Sequence, residues 1–323
     1  MVHRPTPREL TALLLLACAL SVLAYHLAAD LAPRETANDL TFRRAPASRE
    51  SYLRLRQEWR PRVGSALSAR LAGSLGNAST PADQLRTTVG LHTAGWLLAT
   101  NLLLILGFGR RALVLMWGVA AAVAFGYAPG LVSRVYPWDL PALFFFTAFA
   151  VTVEHDRWRW LPVVILVGAL FKETTAVLCI APLFRPIPWR RRGVWSAALA
   201  GGFLVLKLAV DLAVQNPVPL FSPTVQPPDG GSCRLGQNLR LLLSSPLAHP
   251  IWLNAGTLAA LALIPSRIRL VSLTRTVAVC FALSIFVFGV VSEYRIWFEM
   301  APLAVVALSR WLSPADVARE LQQ

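Results

Sequence analysis

Long apolar runs recur along nearly the whole chain, separated by short stretches that are polar or carry arginine. Read for hydrophobic continuity, they predict membrane helices at 9–29, 89–108, 112–132, 139–154, 159–171, 174–186, 194–214, 248–265, 275–292 and 298–312. A span of about 30 Å of hydrocarbon needs about 20 apolar residues, and several of these runs reach that length. The pattern predicts an all-α, polytopic transmembrane bundle of about ten helices forming a single domain, 1–323. No repeat of fixed period interrupts it.

Two stretches break the pattern. Residues 30–88 form a long hydrophilic segment after the first helix, with ten arginines against six acids. Within it Pro61 suits the first turn of a helix, and Val63, Leu67, Leu71 and Leu75 then repeat every four residues beside Arg62 and Arg70. One apolar stripe flanked by arginine predicts either a helix lying in the membrane interface or one packed on top of the bundle. The stretch 51–59 is a candidate for a second such helix. The other break, 215–247, is rich in Pro and Gly and predicts an irregular outer cap loop.

Composition agrees. The chain of 323 residues is 55% apolar and 15% charged, against about 25% charged in soluble domains. A net charge of +14 does not point to nucleic acid, because the arginines come as short clusters between apolar runs. The four cysteines show no CxxC spacing, so neither a disulfide framework nor a zinc site is indicated. Residues 1–29 have the basic start of a signal peptide, but their apolar run exceeds the usual h-region of about 7–15 residues, which favours an uncleaved helix.

Charge distribution sets the topology. Arg110-Arg111, Arg157 with Arg159, the group Arg185 and Arg190–Arg192, then Arg267, Arg269, Arg275 and Arg310 alternate with loops poor in arginine. Positive-inside places them all in the cytoplasm, with both termini inside. The stretch 159–184 decides the register. As one span it would carry Lys172 and Glu173 at mid-depth and leave nine downstream arginines outside against three inside. As a hairpin with its tip at Lys172-Glu173, those numbers reverse. The hairpin needs legs of only about 20 Å, which are tolerable where they line protein rather than lipid.

Polar clusters then gather on the outer side: Asn38-Asp39, Tyr136-Pro137-Trp138-Asp139, Phe171-Lys172-Glu173-Thr174, and Ser292-Glu293-Tyr294-Arg295 followed by Glu299. Ionisable groups are expensive inside a membrane and are usually functional there. Asp139 also suits the positive end of a helix dipole without further role. Glu293, Arg295 and Glu299 could equally form a structural ion-pair network. Lys207 has Asp211 four residues on, and an i,i+4 pair accounts for both. His155 falls in a basic turn and reads as solvated. No HExxH, GxSxG or P-loop motif occurs.

The stretch LPVVILVGALFKETTAVLCIAPLF resembles the hairpin of GT-C superfamily glycosyltransferases, and YPWDLPALFFFTAFAVTVEHDRWRW resembles the helix that precedes it there. The likeness covers about residues 1–190 and is similar to the protein mannosyltransferase and aminoarabinose transferase branches. It implies transfer of a sugar from a polyprenyl-phosphate carrier, in membrane lipid, to an acceptor on the non-cytoplasmic face. By resemblance Asp39 matches the first-loop carboxylate that acts as base or orients the acceptor, Asp139 a second acidic position, and Lys172 the lysine near the carrier phosphate. Arg295 joins them because its planar fork suits phosphate oxygens, with Glu173, Glu293 and Tyr136 lining the same site. A divalent metal is left open as cofactor. Where the family commonly has Lys-Gly this chain has Lys-Glu, and the first loop lacks an Asp-Glu pair. A transporter or flippase of a lipid-linked substrate, and a non-catalytic assembly protein of the same fold, are the alternatives.

Overall fold

A computed structural model describes residues 5–38, 63–76, 80–126, 139–213, 234–244, 269–288 and 298–311. Every regular element among them is helical: α1 (Pro7–Asn38), α2 (Val63–Leu75), α3 (Pro81–Phe108), α4 (Ala112–Gly126), α5 (Asp139–Glu154), α6 (Leu161–Ala169), α7 (Trp189–Ala213), α8 (Leu235–Ser244), α9 (Arg269–Phe288) and α10 (Ala301–Trp311). A 3-10 helix, Glu173–Phe184, lies between α6 and α7. Three helical stretches are long and apolar enough to cross a membrane: Pro7–Leu31, Pro81–Ala124 and Trp189–Ala213. Trp158–Ala169, Glu173–Phe184 and Val271–Val287 are apolar but shorter. The expected span 248–265 and helix 51–59 lie outside the described residues.

Local chemistry sets the ends of the first helices. Thr6 and Glu9 form a reciprocal capping box, with Thr6 N–H donating to Glu9 Oε2 at 2.7 Å and Glu9 N–H to Thr6 Oγ1 at 3.3 Å. Thr80 caps α3 by accepting from Asp83 N–H, with Pro81 in the first turn. That cap starts α3 eight residues before the apolar run at 89, so the expected loop 30–88 is largely helix where it is described. At its other end α3 breaks at Gly109, whose φ of 56° favours a residue without Cβ. Arg110 follows, and its guanidinium pairs with Glu9 at 3.0 Å, tying the start of α1 to this turn.

Helices approach closely where one side is glycine, as in membrane bundles generally. A Cβ on Gly118 of α4 would stand 2.8 Å from Val305 of α10, and one on Gly107 of α3 would stand 2.6 Å from Val151 of α5. Trp96 of α3 meets Phe144 and Phe145 in the first half of α5, and Gly107 meets Val151 near its end, so these helices run in the same direction.

The chain reverses at residues 170–172, and the 3-10 helix packs back on α6, with Thr175 against Gly168. This is the hairpin expected from the arginine pattern. Its second leg is 12 residues of 3-10 helix rather than α-helix, a length well beyond the usual three or four residues.

Two helices show the reverse of soluble amphipathicity. α2 exposes Val63, Leu67, Leu71 and Leu75 and packs Ser65, Ala69, Ala72 and Gly73 inward. α8 exposes Leu235, Leu239 and Leu243 while Asn238 is buried and donates to the carbonyl of Phe286 at 2.8 Å. α8 corrects the expectation that 215–247 is irregular throughout. Asn238 faces the bundle and Leu241 packs partly against it, while Leu235, Leu239 and Leu243 face out beside the exposed Gln237 and Arg240.

Candidate functional site

Elements remote in sequence converge at one end of the bundle. Lys172 sits between α6 and the 3-10 leg with extended backbone (φ −155°, ψ 139°), which throws its side chain sideways. Its N–H donates to Gly168 O at 2.9 Å, and the Thr175 hydroxyl donates to its carbonyl at 2.9 Å, so the tip is fixed from both legs. The Lys172 ammonium donates to Asp139 Oδ1, on the first residue of α5, at 3.1 Å. It also donates to Glu299 Oε1, in the turn that opens α10. The Thr174 hydroxyl closes the ring by donating to Glu299 Oε2 at 2.6 Å. Asp139 and Glu299 are wholly buried and Lys172 is 5% exposed.

A second ion pair backs the first. Glu173 reaches the other way, and its Oε1 lies 3.4 Å from Lys207 Nζ on α7. Lys207 is therefore not explained by Asp211 alone, as the i,i+4 spacing had implied. Adjacent residues of one tip thus face two different helical partners.

α2 is clipped to the same tip. Gly64 N–H donates to Leu170 O at 3.0 Å and the Ser65 hydroxyl to Phe171 O at 3.2 Å. A Cβ on Gly64 would stand 2.7 Å from the Phe171 ring, so only glycine lets α2 approach this closely. Beside it His92 of α3 is buried, with its Nε2 meeting Ser68 Oγ at 2.8 Å and accepting from Trp96 Nε1 at 3.1 Å. Indole can only donate, so this imidazole carries its proton on Nδ1.

The opposite end holds the arginine clusters. Arg110 and Arg111, Arg157 and Arg159, and Arg185 with Arg190–Arg192 follow or precede the helix ends far from Lys172. His155 is not merely solvated there, since its ring N–H donates to Gly107 O at 2.5 Å and joins α5 to α3. Arg185 lies over the Trp195 ring, 5.4 Å from its centroid, and Arg192 donates to the carbonyls of Ile187 and Leu183.

Of the residues expected to form a site, Asp139 and Lys172 are in direct contact and Glu173 is next to them. Asp39, Tyr136, Glu293 and Arg295 lie outside the described residues. Glu299, Thr174 and Lys207 were not among those assigned to it. The signal for Glu299 was its place just ahead of an apolar run, and for Lys207 its isolation in another. No group of three or more His, Cys, Asp or Glu that could hold a metal ion occurs among the described residues. Comparison with known families, with characterised proteins and with solved structures finds no match to this chain.

Proposed function

We propose that this chain is a multi-pass glycosyltransferase of a bacterial inner membrane, moving a sugar from a polyprenyl-phosphate carrier to an acceptor on the non-cytoplasmic face. The observation that carries this reading is the buried Asp139–Lys172–Glu299 cluster at the bundle end opposite the arginine clusters. By the positive-inside rule the arginine end faces the cytoplasm and the cluster end faces out. Burial of three charges is weak evidence for stability, because apolar residues of similar size are often as stable. Their presence in an apolar bundle is better accounted for by chemistry.

The reaction needs a carboxylate to take the proton of an acceptor hydroxyl as its oxygen bonds the sugar carbon. The bond from that carbon to the carrier phosphate breaks, and its electron pair leaves on the phosphate oxygen, where nearby cations stabilise the charge. Asp139 and Asp39 are the assigned carboxylates. Lys172, bridging Asp139 and Glu299, holds one of them in place rather than standing open for the carrier.

The test is sugar transfer from a polyprenyl-phosphate donor by purified protein, comparing wild type with Asp139→Asn and Asp39→Asn. Loss of a positioned base lowers the rate by about 10²–10⁴. Transfer at wild-type rate by both variants would remove the assignment. Carrier binding without transfer by wild type would instead indicate a transporter of the same lipid.

A further inference from the structure

The buried face of α7 is a single line. Leu199, Phe203 and Lys207 are its buried residues, spaced by four, while Leu204, Val205 and Leu208 beside that line are exposed. An apolar contact strip thus ends in an ammonium. Lys207 stands about 27 Å along the helix from Trp189, near the far side of a bilayer about 30 Å thick. An amine buried there is costly unless an anion meets it.

Glu173, an anion that meets it, is unlike those on Lys172. Asp139 and Glu299 are wholly buried at helix starts. Glu173 sits on the hairpin tip, and its side chain is 18% exposed against 3% for that of Lys207. Its oxygen is 3.4 Å from the ammonium, longer than the about 2.8 Å of a well-made charge-assisted hydrogen bond. Its partial exposure gives the Glu173 carboxylate a route toward the surface that the wholly buried Asp139 and Glu299 lack.

We propose that Lys207 is an anion-binding residue whose place Glu173 holds in the unliganded protein, and that the anion it accepts is a phosphate group. The exposed apolar flank of α7 favours a phosphate carried on a lipid over free phosphate. Glu173 is then a built-in competitor, an internal carboxylate that an incoming phosphate displaces. The lipid character of the ligand rests on the function proposed above; the exchange at Lys207 does not, because binding requires no transfer.

The experiment measures binding of three probes to the full-length purified protein: a long-chain polyprenyl monophosphate, phosphatidylglycerol and inorganic phosphate. Lys207→Gln weakens polyprenyl phosphate binding by about tenfold or more, as expected for loss of one charged hydrogen bond. Glu173→Gln tightens it, because the competitor loses its charge, and Lys207→Arg retains it. Opposite signs for the two partners are the diagnostic outcome, since a purely structural pair predicts that losing either does similar harm. If Lys207→Gln fails to fold, Glu173→Gln and Lys207→Arg still decide the matter. Equal weakening by Glu173→Gln and Lys207→Gln, or no change from Glu173→Gln, overturns the proposal. Tight binding of inorganic phosphate alone assigns the site to a free anion, and phosphatidylglycerol binding equal to polyprenyl phosphate assigns it to general lipid headgroups. Sugar transfer can fail while the opposite signs persist, which would remove the enzymatic reading and leave the anion site.

Discussion

Replacing Lys172 with methionine probes the cluster most directly. The side chain is nearly isosteric, so packing between α5, α6 and α10 is kept while one ammonium disappears. Asp139 and Glu299, both wholly buried, then face each other's charge with their shared donor gone. Breaking a buried pair from one side costs about 3–5 kcal/mol, and here one change strips two carboxylates. At about 2 °C per kcal/mol for a large domain, the melting midpoint falls by at least about 6 °C. Glu299→Gln is milder, because its amide oxygen still accepts from Lys172, its amide N–H faces the Thr174 hydroxyl as a donor, and the contact of Lys172 with Asp139 persists. The triple variant Asp139→Asn, Lys172→Met, Glu299→Gln carries no charge in the ring and regains most of the loss. Thermal unfolding of detergent-purified protein, followed by size-exclusion recovery, reads all three. A Lys172→Met midpoint indistinguishable from wild type, or a triple variant less stable than Lys172→Met, would refute the reasoning, since the carboxylates would then not depend on that ammonium.

Further expectations follow from other contacts. A reporter fused within 215–233 signals the outer compartment and one within 187–193 the cytoplasm; the reverse pair would invert the proposed faces. Gly90→Ala lowers the melting midpoint because its Cβ would stand 2.6 Å from the Tyr25 ring, whereas Gly201→Ala meets nothing and raises stability by about 0.5–1 kcal/mol. His92→Leu removes the ring nitrogen that Ser68 and Trp96 both contact, so amide exchange across Val63–Leu75 accelerates; unchanged exchange there would mean the Gly64 and Ser65 contacts suffice to hold α2.

What the sequence made legible has a physical pattern. The reversal at Lys172-Glu173 could be found because arginine counts in distant loops change sign with it, a signal independent of the hairpin itself. Asp139 could be found because a carboxylate opening an apolar run is conspicuous. The partner of Lys207 could not, since a residue four positions away offered a sufficient local explanation and Glu173 lies 34 residues back. α8 was hidden for a different reason. Arg234 and Asn238 face the bundle while Leu235, Leu239 and Leu243 face out, and Leu241 packs only partly, so a hydrophobic pattern has little to register. The early start of α3 depended on one cap, Thr80 with Asp83, a polar feature that a hydrophobic scan passes over.

The 3-10 leg of the hairpin works as a measuring rod. At about 2.0 Å per residue its 12 residues reach about 24 Å, where an α-helix of the same count would reach about 18 Å. Extra reach comes with coarse angular steps, because each residue advances about a third of a turn. Removing one residue would therefore draw the tip back about 2 Å and swing Lys172 about 120° away from Asp139 and Glu299. Removing three restores the bearing but leaves the tip about 6 Å short. No shortening keeps both depth and direction, so the number of residues between Lys172 and Arg185 is itself part of the site.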